Sequence, residues 1–260
     1  EGCLYKEITN KSGITTKKLC NFLPYIVSEV SVDDGAEVKT VLRLGGVHSS
    51  GRVLPEIDVT GAELGTFNWL IERWGADCVL EPERNVKEYV RHAIQQTAEN
   101  AERIKIYHVT GWKLIDNHWE YLLPNDGKHD VSLKGKLNRY EKADGWTVSN
   151  LSSAYFMTSY FSFAPVEITL PLLAYTFLSP LNEFLHQANC EPKFVLCLLG
   201  RTGTRKSTLA ALFLSFFGRF NSSDLPLSFR DTANSIMYNS FSLKDVLTCI
   251  DDFHPSGTFN

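Results

Sequence analysis

The chain has 260 residues, 43% hydrophobic and 12% aromatic, which supplies apolar volume for one or two folded domains. Thirty acidic residues against 26 basic give a net charge of −4, divided 22 against 19 over residues 1–150 and 8 against 7 over 151–260. Neither half carries the basic excess of an electrostatic nucleic-acid footprint, and no apolar stretch is long and uninterrupted enough to span a bilayer.

Residues 1–24 read as polar and turn-rich, with a short helix or lead-in around Thr15–Phe22. From Tyr25 the pattern alternates. Ile26–Val32, Val38–Leu44 and Val53–Val59, separated by Asp33-Asp34-Gly35 and His48-Ser49-Ser50-Gly51, predict an antiparallel meander. Two helices follow. Residues 64–74 place Leu64, Phe67, Leu70, Ile71 and Trp74 on one face, and residues 85–98 start from Asn85 as N-cap with Val86, Tyr89, Val90, Ala93 and Ile94 as the apolar stripe. Ile104–Val109 reads as a strand. Gly111–Leu123 reads as a hairpin turning at Asp116-Asn117 and presenting Trp112, Trp119 and Tyr121. Those aromatics fill the core of a small α+β domain on one reading and stack bases on the other.

Asn125–Gly145 is loop-like and sets the boundary between an N-terminal domain, residues 1–145, and a second domain, 146–260. Residues 151–190 hold two charges, Glu167 and Glu183, and are broken by Pro165, Pro171 and Pro180, so they read as two or three buried helices. Six cysteines stand at 3, 20, 78, 190, 197 and 249 without Cys-x-x-Cys spacing, which suits a reducing cytoplasm; a zinc held by Cys3 and Cys20 with distant partners is the alternative. No signal peptide is visible, and the reading expects a piece cut from a longer protein.

The informative stretch is Lys193–Leu199 followed by Gly200-Arg201-Thr202-Gly203-Thr204-Arg205-Lys206-Ser207-Thr208 and a helical pattern to Phe217. Strand, Gly-containing turn, Lys-Ser and helix is the order of a phosphate-binding loop. Backbone N–H groups from Gly200 to Thr208 would wrap the phosphates of ATP, and Lys206 would reach the β- and γ-phosphates. Ser207 would set its hydroxyl on Mg²⁺, over a helix N-terminus carrying partial positive charge. Arg205 stands where the motif asks for Gly. An L-residue with positive φ there costs about 1–2 kcal/mol. Val246–Ile250 then delivers Asp251-Asp252, 45 residues beyond Lys206. This is a Walker B pattern: Asp251 holds the metal, and Asp252 stands where many such ATPases carry a glutamate that orients the attacking water. Between the two motifs, Asp224–Phe229 reads as a strand and Asp231-Thr232 as the cap of a helix reaching about Asn239. The order β-α-β-α-β predicts a parallel sheet with Arg230 and Asp231 at a strand tip on the nucleotide side. The fold class expected is therefore an α+β N-terminal domain ahead of a truncated α/β P-loop core.

Together, His108–Trp112 with its hairpin, Leu178–Leu181, Gly200–Thr208, Asp231-Thr232 and Asp251–Pro255 resemble the domain of unknown function 927 proteins of phage and mobile elements. That resemblance implies an AAA+ class, hexameric, DNA-translocating helicase or primase-associated ATPase, with Lys206 and Ser207 at the phosphates and metal and Asp251 and Asp252 in Walker B. Lys206 and Asp252 would be catalytic, and DNA and copies of the chain would be the partners. Two other readings stand beside it: a degenerate P-loop acting as a DNA- or protein-binding module, and a switch ATPase without helicase activity.

Overall fold

The first third of the chain is built on strand pairing. In a computed structural model, which describes residues 2–10, 13–142, 159 and 162–253, β1 (Leu4–Asn10) and β2 (Gly13–Cys20) form an antiparallel hairpin. The helix expected at Thr15–Phe22 is thus a strand. Ile14, Thr15 and Thr16 are β-branched, and they pair with Thr9, Ile8 and Glu7. The meander is present in longer strands, β3 (Phe22–Asp33), β4 (Val38–His48) and β5 (Val53–Thr60), and β6 (Glu102–Tyr107) extends it in the order β5-β4-β3-β6. Along β3 burial alternates with period two: Phe22, Ile26, Ser28 and Val30 face inward.

Thr60 ends β5 and starts α1 (Gly61–Thr66) with a reciprocal capping box. Glu63 N–H donates to Thr60 Oγ1 at 3.2 Å, and Thr60 N–H donates to Glu63 Oε2 at 2.8 Å. The predicted helix over 64–74 does not run through. Phe67 takes φ 61° and closes α1, and the chain resumes as a π-helical turn, Leu70–Trp74. That break keeps Leu64, Phe67, Leu70 and Trp74 buried but turns Ile71 out to solvent. Helix α2 (Val86–Gln96) follows Asn85, which takes a left-handed conformation and makes no side-chain capping bond; Val90 and Ile94 are its buried face. Phe22, Leu44, Val59, Trp69, Trp74 and Ile94 lie in one core, in which Trp69 and Trp74 meet edge-on at 5.0 Å.

The described fold is mixed α/β, and the chain divides into two compact units: residues 1–33 with 37–106, and 34–36 with 107–260. The boundary placed at residue 145 lies outside the described residues. Residues 107–142, assigned to the N-terminal domain by sequence, pack within the second unit, because Leu123, Leu133, Leu137 and Tyr140 share a core with Phe213, Leu214 and Leu247. The Tyr140 hydroxyl donates to the Leu247 carbonyl at 3.0 Å.

The hairpin of β7 (Gly111–Ile115) and β8 (His118–Leu122) turns at Asp116 and Asn117, φ 48° and 62°, as the Asp-Asn pair predicts. Trp112 Nε1–H donates to the Pro180 carbonyl at 2.7 Å and the Tyr121 hydroxyl to the Asp245 carbonyl at 2.7 Å, so two of the three aromatics tie the hairpin to its own unit. Trp119 stays partly exposed but also meets Phe184 of that unit edge-on at 5.5 Å.

After the short β9 (Asp130–Val131) come α3 (Val166–Leu178), α4 (Asn182–Gln187), α5 (Lys206–Leu214), β10 (Leu227–Ser228), α6 (Ala233–Ser242) and β11 (Ile250–Asp251). Of the expected buried helices in 151–190, α3 buries Thr169, Leu172, Leu173 and Thr176 but exposes Val166, Ile168, Leu170 and Phe177, and no residue of α4 is buried. Residues 151–158 lie outside the described residues. Among the described residues no helix is long and apolar enough to cross a membrane.

Candidate nucleotide site

β10, α6 and β11 follow the predicted order strand, helix, strand, but the strands are two residues each where the sequence predicts Asp224–Phe229 and Val246–Ile250, and residues 246–249 are not strand. β10 and β11 pair in parallel, Leu227 with Ile250 and Ser228 with Asp251, and Phe229 N–H continues the ladder to the Asp251 carbonyl at 2.9 Å. The pair ends in carboxylates: Asp251 closes β11, and Asp252 follows with φ 58°. Thr232 caps α6 by accepting from Ser235 N–H at 3.3 Å, and Asp231 folds back to accept from Ser228 N–H at 3.1 Å. The predicted cap is Thr232, and Asp231 closes the turn before it.

The first strand of the expected core is different. Residues 193–199 carry no strand pairing among the described residues, and Phe194, Val195 and Leu199 are exposed, Val195 at 80% and Leu199 at 86%. A parallel strand is stable when both faces are covered and neighbours satisfy its backbone. Here the apolar run has no ladder partner among the described residues, and its cover is partial: Leu198 packs against the second core and Phe194 meets Tyr175 at 5.7 Å. Cys197, read as lying inside that strand, is exposed. Cys249 lies just before β11 and is half-buried, and burial pushes its thiol pKa up to about 11.

The loop that follows still folds back on the helix. Gly203 takes φ 86°, and Thr204 Oγ1 donates to the Arg201 carbonyl at 2.8 Å. A Cβ on Gly200 would stand 3.2 Å from Thr204 Oγ1, so the turn is tight there. Arg205 adopts φ 61°, ψ 30° as the N-cap of α5, the left-handed geometry that favours glycine, and its side chain makes no capping bond. Its carbonyl opens the helix by accepting from Leu209 N–H at 3.0 Å. Lys206 Nζ donates to the carbonyls of Gly200 at 2.9 Å and Arg201 at 3.1 Å, across the loop from the first turn of α5. Thr202 and Thr208 are exposed.

The two motifs meet. Ser207 Oγ donates to Asp251 Oδ2 at 3.1 Å, although the residues are 44 apart in sequence. At the next residue, Arg230 Nε stands 3.2 Å from Asp252 Oδ2, a solvent-exposed ion pair just beyond the tips of β10 and β11. The sequence places Arg230 at that tip but gives no sign of its partner. His254 and Pro255, part of the resemblance, lie outside the described residues.

Chemically, the arrangement presents a lysine ammonium and the unpaired N–H groups of a nine-residue helix, next to two hard oxygen ligands. Among the described residues no group of three or more His, Cys, Asp or Glu could hold a metal alone. A magnesium ion commonly takes one or two protein oxygens and fills its shell from phosphate and water, and cis oxygens around it stand roughly 3 Å apart given its bonds of about 2.0–2.1 Å. Ser207 and Asp251 fit that donor set. No protein-family model matches the chain, and no curated protein matches its sequence.

Proposed function

We propose that the loop Gly200–Thr208 binds the triphosphate of Mg²⁺-ATP and that the protein hydrolyses it as a P-loop ATPase. The observation that carries this reading is the direct hydrogen bond between Ser207 and Asp251, because each motif is weak alone and the two meet at ligand spacing. Lys206 would exchange its two loop carbonyls for phosphate oxygens. Ser207 and Asp251 would hold Mg²⁺, which when bound neutralises charge on the β- and γ-phosphates. Asp252, released from Arg230, would orient the attacking water. Backbone N–H groups of Gly200, Thr202, Gly203, Thr204 and Arg205, with those of Lys206, Ser207 and Thr208, would line the phosphates.

The work driven by hydrolysis is inferred from the resemblance alone: translocation on DNA during replication of a mobile element, by an oligomer of the chain in the cytoplasm. Lys206→Ala tests the site. It should lower ATP affinity at least roughly tenfold, as loss of a charge-assisted contact does; unchanged affinity would remove the assignment. DNA-stimulated hydrolysis and strand separation test the motor, and hydrolysis without either would favour a switch ATPase.

A second reading is favoured by two specific observations, the left-handed Arg205 and the unpaired run before the loop. On that reading the loop is degenerate and the protein is a binding module. Arg205→Gly decides between them: little change in ATP affinity supports the ATPase, and a large gain supports a loop blocked by arginine.

A further inference from the structure

The apolar run before the phosphate loop has the side-chain pattern of a strand without its ladder. Val195 and Leu199 are 80% and 86% exposed, Leu196 is 37% exposed, and Leu198 is half-buried against the second core. Phe194, in phase with Leu196 and Leu198, rests its ring against Tyr175. Such alternation belongs to a chain with one face toward a core. Among the described residues, no hydrogen bond reaches the backbone of residues 194–199.

The short parallel pair nearby has one closed edge and one open edge. Leu227 and Phe229 N–H groups donate to the Cys249 and Asp251 carbonyls at 3.3 and 2.9 Å, so Ser228 N–H points to the other side of β10. There Asp231 Oδ2 accepts from it at 3.1 Å and closes that edge. On β11 the matching residue is Ile250. Its N–H and carbonyl point away from β10, and none of the described residues bonds to them. An open edge of this kind is a template for a further strand.

The run and the open edge are tied to one place. Leu198 and Ile250 pack against the same core, and Ser207 bonds to Asp251, the residue after Ile250. The run ends at Gly200 and β11 ends at Asp251, both beside the phosphate loop, so the two would lie parallel. The end of the run is held by Lys206, whose Nζ donates to the Gly200 and Arg201 carbonyls. Phosphate oxygens compete for that ammonium, because charge-assisted bonds are stronger than bonds to neutral carbonyls.

We propose that strand formation by residues 194–199 is coupled to the triphosphate: phosphate draws Lys206 off the Gly200 and Arg201 carbonyls, and the released run pairs in parallel with β11 at Ile250. The proposal rests on the nucleotide reading. The strand that the sequence predicts is then a property of the ligand-bound chain. Ladder bonds and further burial of Leu196 offset the entropy lost on ordering the run. Coupling of this kind is reciprocal, so a change that blocks pairing also weakens nucleotide binding.

The test is amide hydrogen exchange of the full chain, read by mass spectrometry, with and without Mg²⁺ and a non-hydrolysable ATP analogue whose binding is measured by calorimetry. Val195→Pro and Leu196→Pro accompany it. Each removes one backbone donor, and their N–H groups point to opposite edges, so one of the two strikes the side facing β11. Both positions make no ladder bond in the ligand-free chain. The analogue should slow exchange at least about tenfold in residues 194–199 and at Ile250, beyond the loop that touches phosphate. One proline variant should lower analogue affinity about tenfold or more. Binding of the analogue with protection confined to residues 200–208 would overturn the coupling and leave the nucleotide reading standing, as would unchanged affinity in both proline variants. No binding of the analogue would overturn both. If a proline variant does not fold, the exchange pattern of the native chain decides.

Discussion

The two units bury their apolar side chains by different means. In the first, β3 and β4 pair from Phe22 opposite His48 to Asp33 opposite Val38, and α1 and α2 contribute Leu64, Val90 and Ile94 to the core that includes Phe22 and Leu44. Backbone pairing fixes register, and register fixes which side chains point inward. In the second, regular pairing is confined to the five-residue strands of the β7–β8 hairpin and the two-residue parallel pair of β10 and β11, and Phe213, Leu214, Leu227 and Tyr140 pack among helices and turns, with single bonds such as Tyr140 to Leu247 as fasteners. The candidate site belongs to the second kind. Regular pairing makes a rigid platform, while a core closed by loops leaves strand tips free to present Asp251, Asp252 and Arg230 together.

If both cores are packed to the same density, large-to-small changes should cost alike despite this contrast. Phe22→Ala and Phe213→Ala remove fully buried rings and should each destabilise by about 3–5 kcal/mol in denaturant unfolding. A cost below about 1 kcal/mol for Phe213→Ala would show that the second core is loose and would break the comparison. The junction of strand and helix in the first unit gives a smaller effect. Thr60→Ala removes one side of the capping box and should cost about 1 kcal/mol; no loss would mean that pairing of β5 alone holds α1 in place.

The smallest effect sharpens the contrast most. Val195→Asp should change stability by no more than about 0.5 kcal/mol, because the side chain is already in solvent. A thiol reagent at pH 8 should label exposed Cys190 and Cys197 rapidly. It should label Cys20 and Cys249 slowly, since burial raises both thiols to about 11. Slow labelling of Cys197 together with a large penalty for Val195→Asp would restore the buried strand that the sequence predicts.

What was legible follows the same division. Period-two alternation from Ile26 to Val59 and the Asp116-Asn117 turn read directly from sequence, because local pattern and local structure agree there. So did the helix over Ala233–Ser242 with its Thr232 cap, whereas the strands read over Asp224–Phe229 and Val246–Ile250 are reduced to the pairs Leu227–Ser228 and Ile250–Asp251. The hairpin of β1 and β2 was hidden, since Glu7, Thr15 and Thr16 give little apolar contrast and their order comes from pairing with each other. The break at Phe67 was hidden because the apolar spacing from Leu64 to Trp74 suits a continuous helix, and a left-handed phenylalanine leaves no trace in it. At the candidate site, the grouping of Lys206, Ser207 and Asp251 around one nucleotide was read from the two motifs, but the direct bond of Ser207 to Asp251 and that of Lys206 to its own loop carbonyls were not. Arg230 with Asp252 and Asp245 with Trp112 are pairings of residues far apart in sequence, and no motif announces them.

The account rests most heavily on Ser207 and Asp251 acting as one metal-binding pair. The direct measurement is ATP affinity of the full chain with and without Mg²⁺, for the native protein and for Ser207→Ala and Asp251→Asn. The account predicts affinity that rises with Mg²⁺ in the native protein, with that rise lost in both variants while metal-free binding is retained. ATP binding indifferent to Mg²⁺ in the native protein, or an equal Mg²⁺ response in all three, would contradict it.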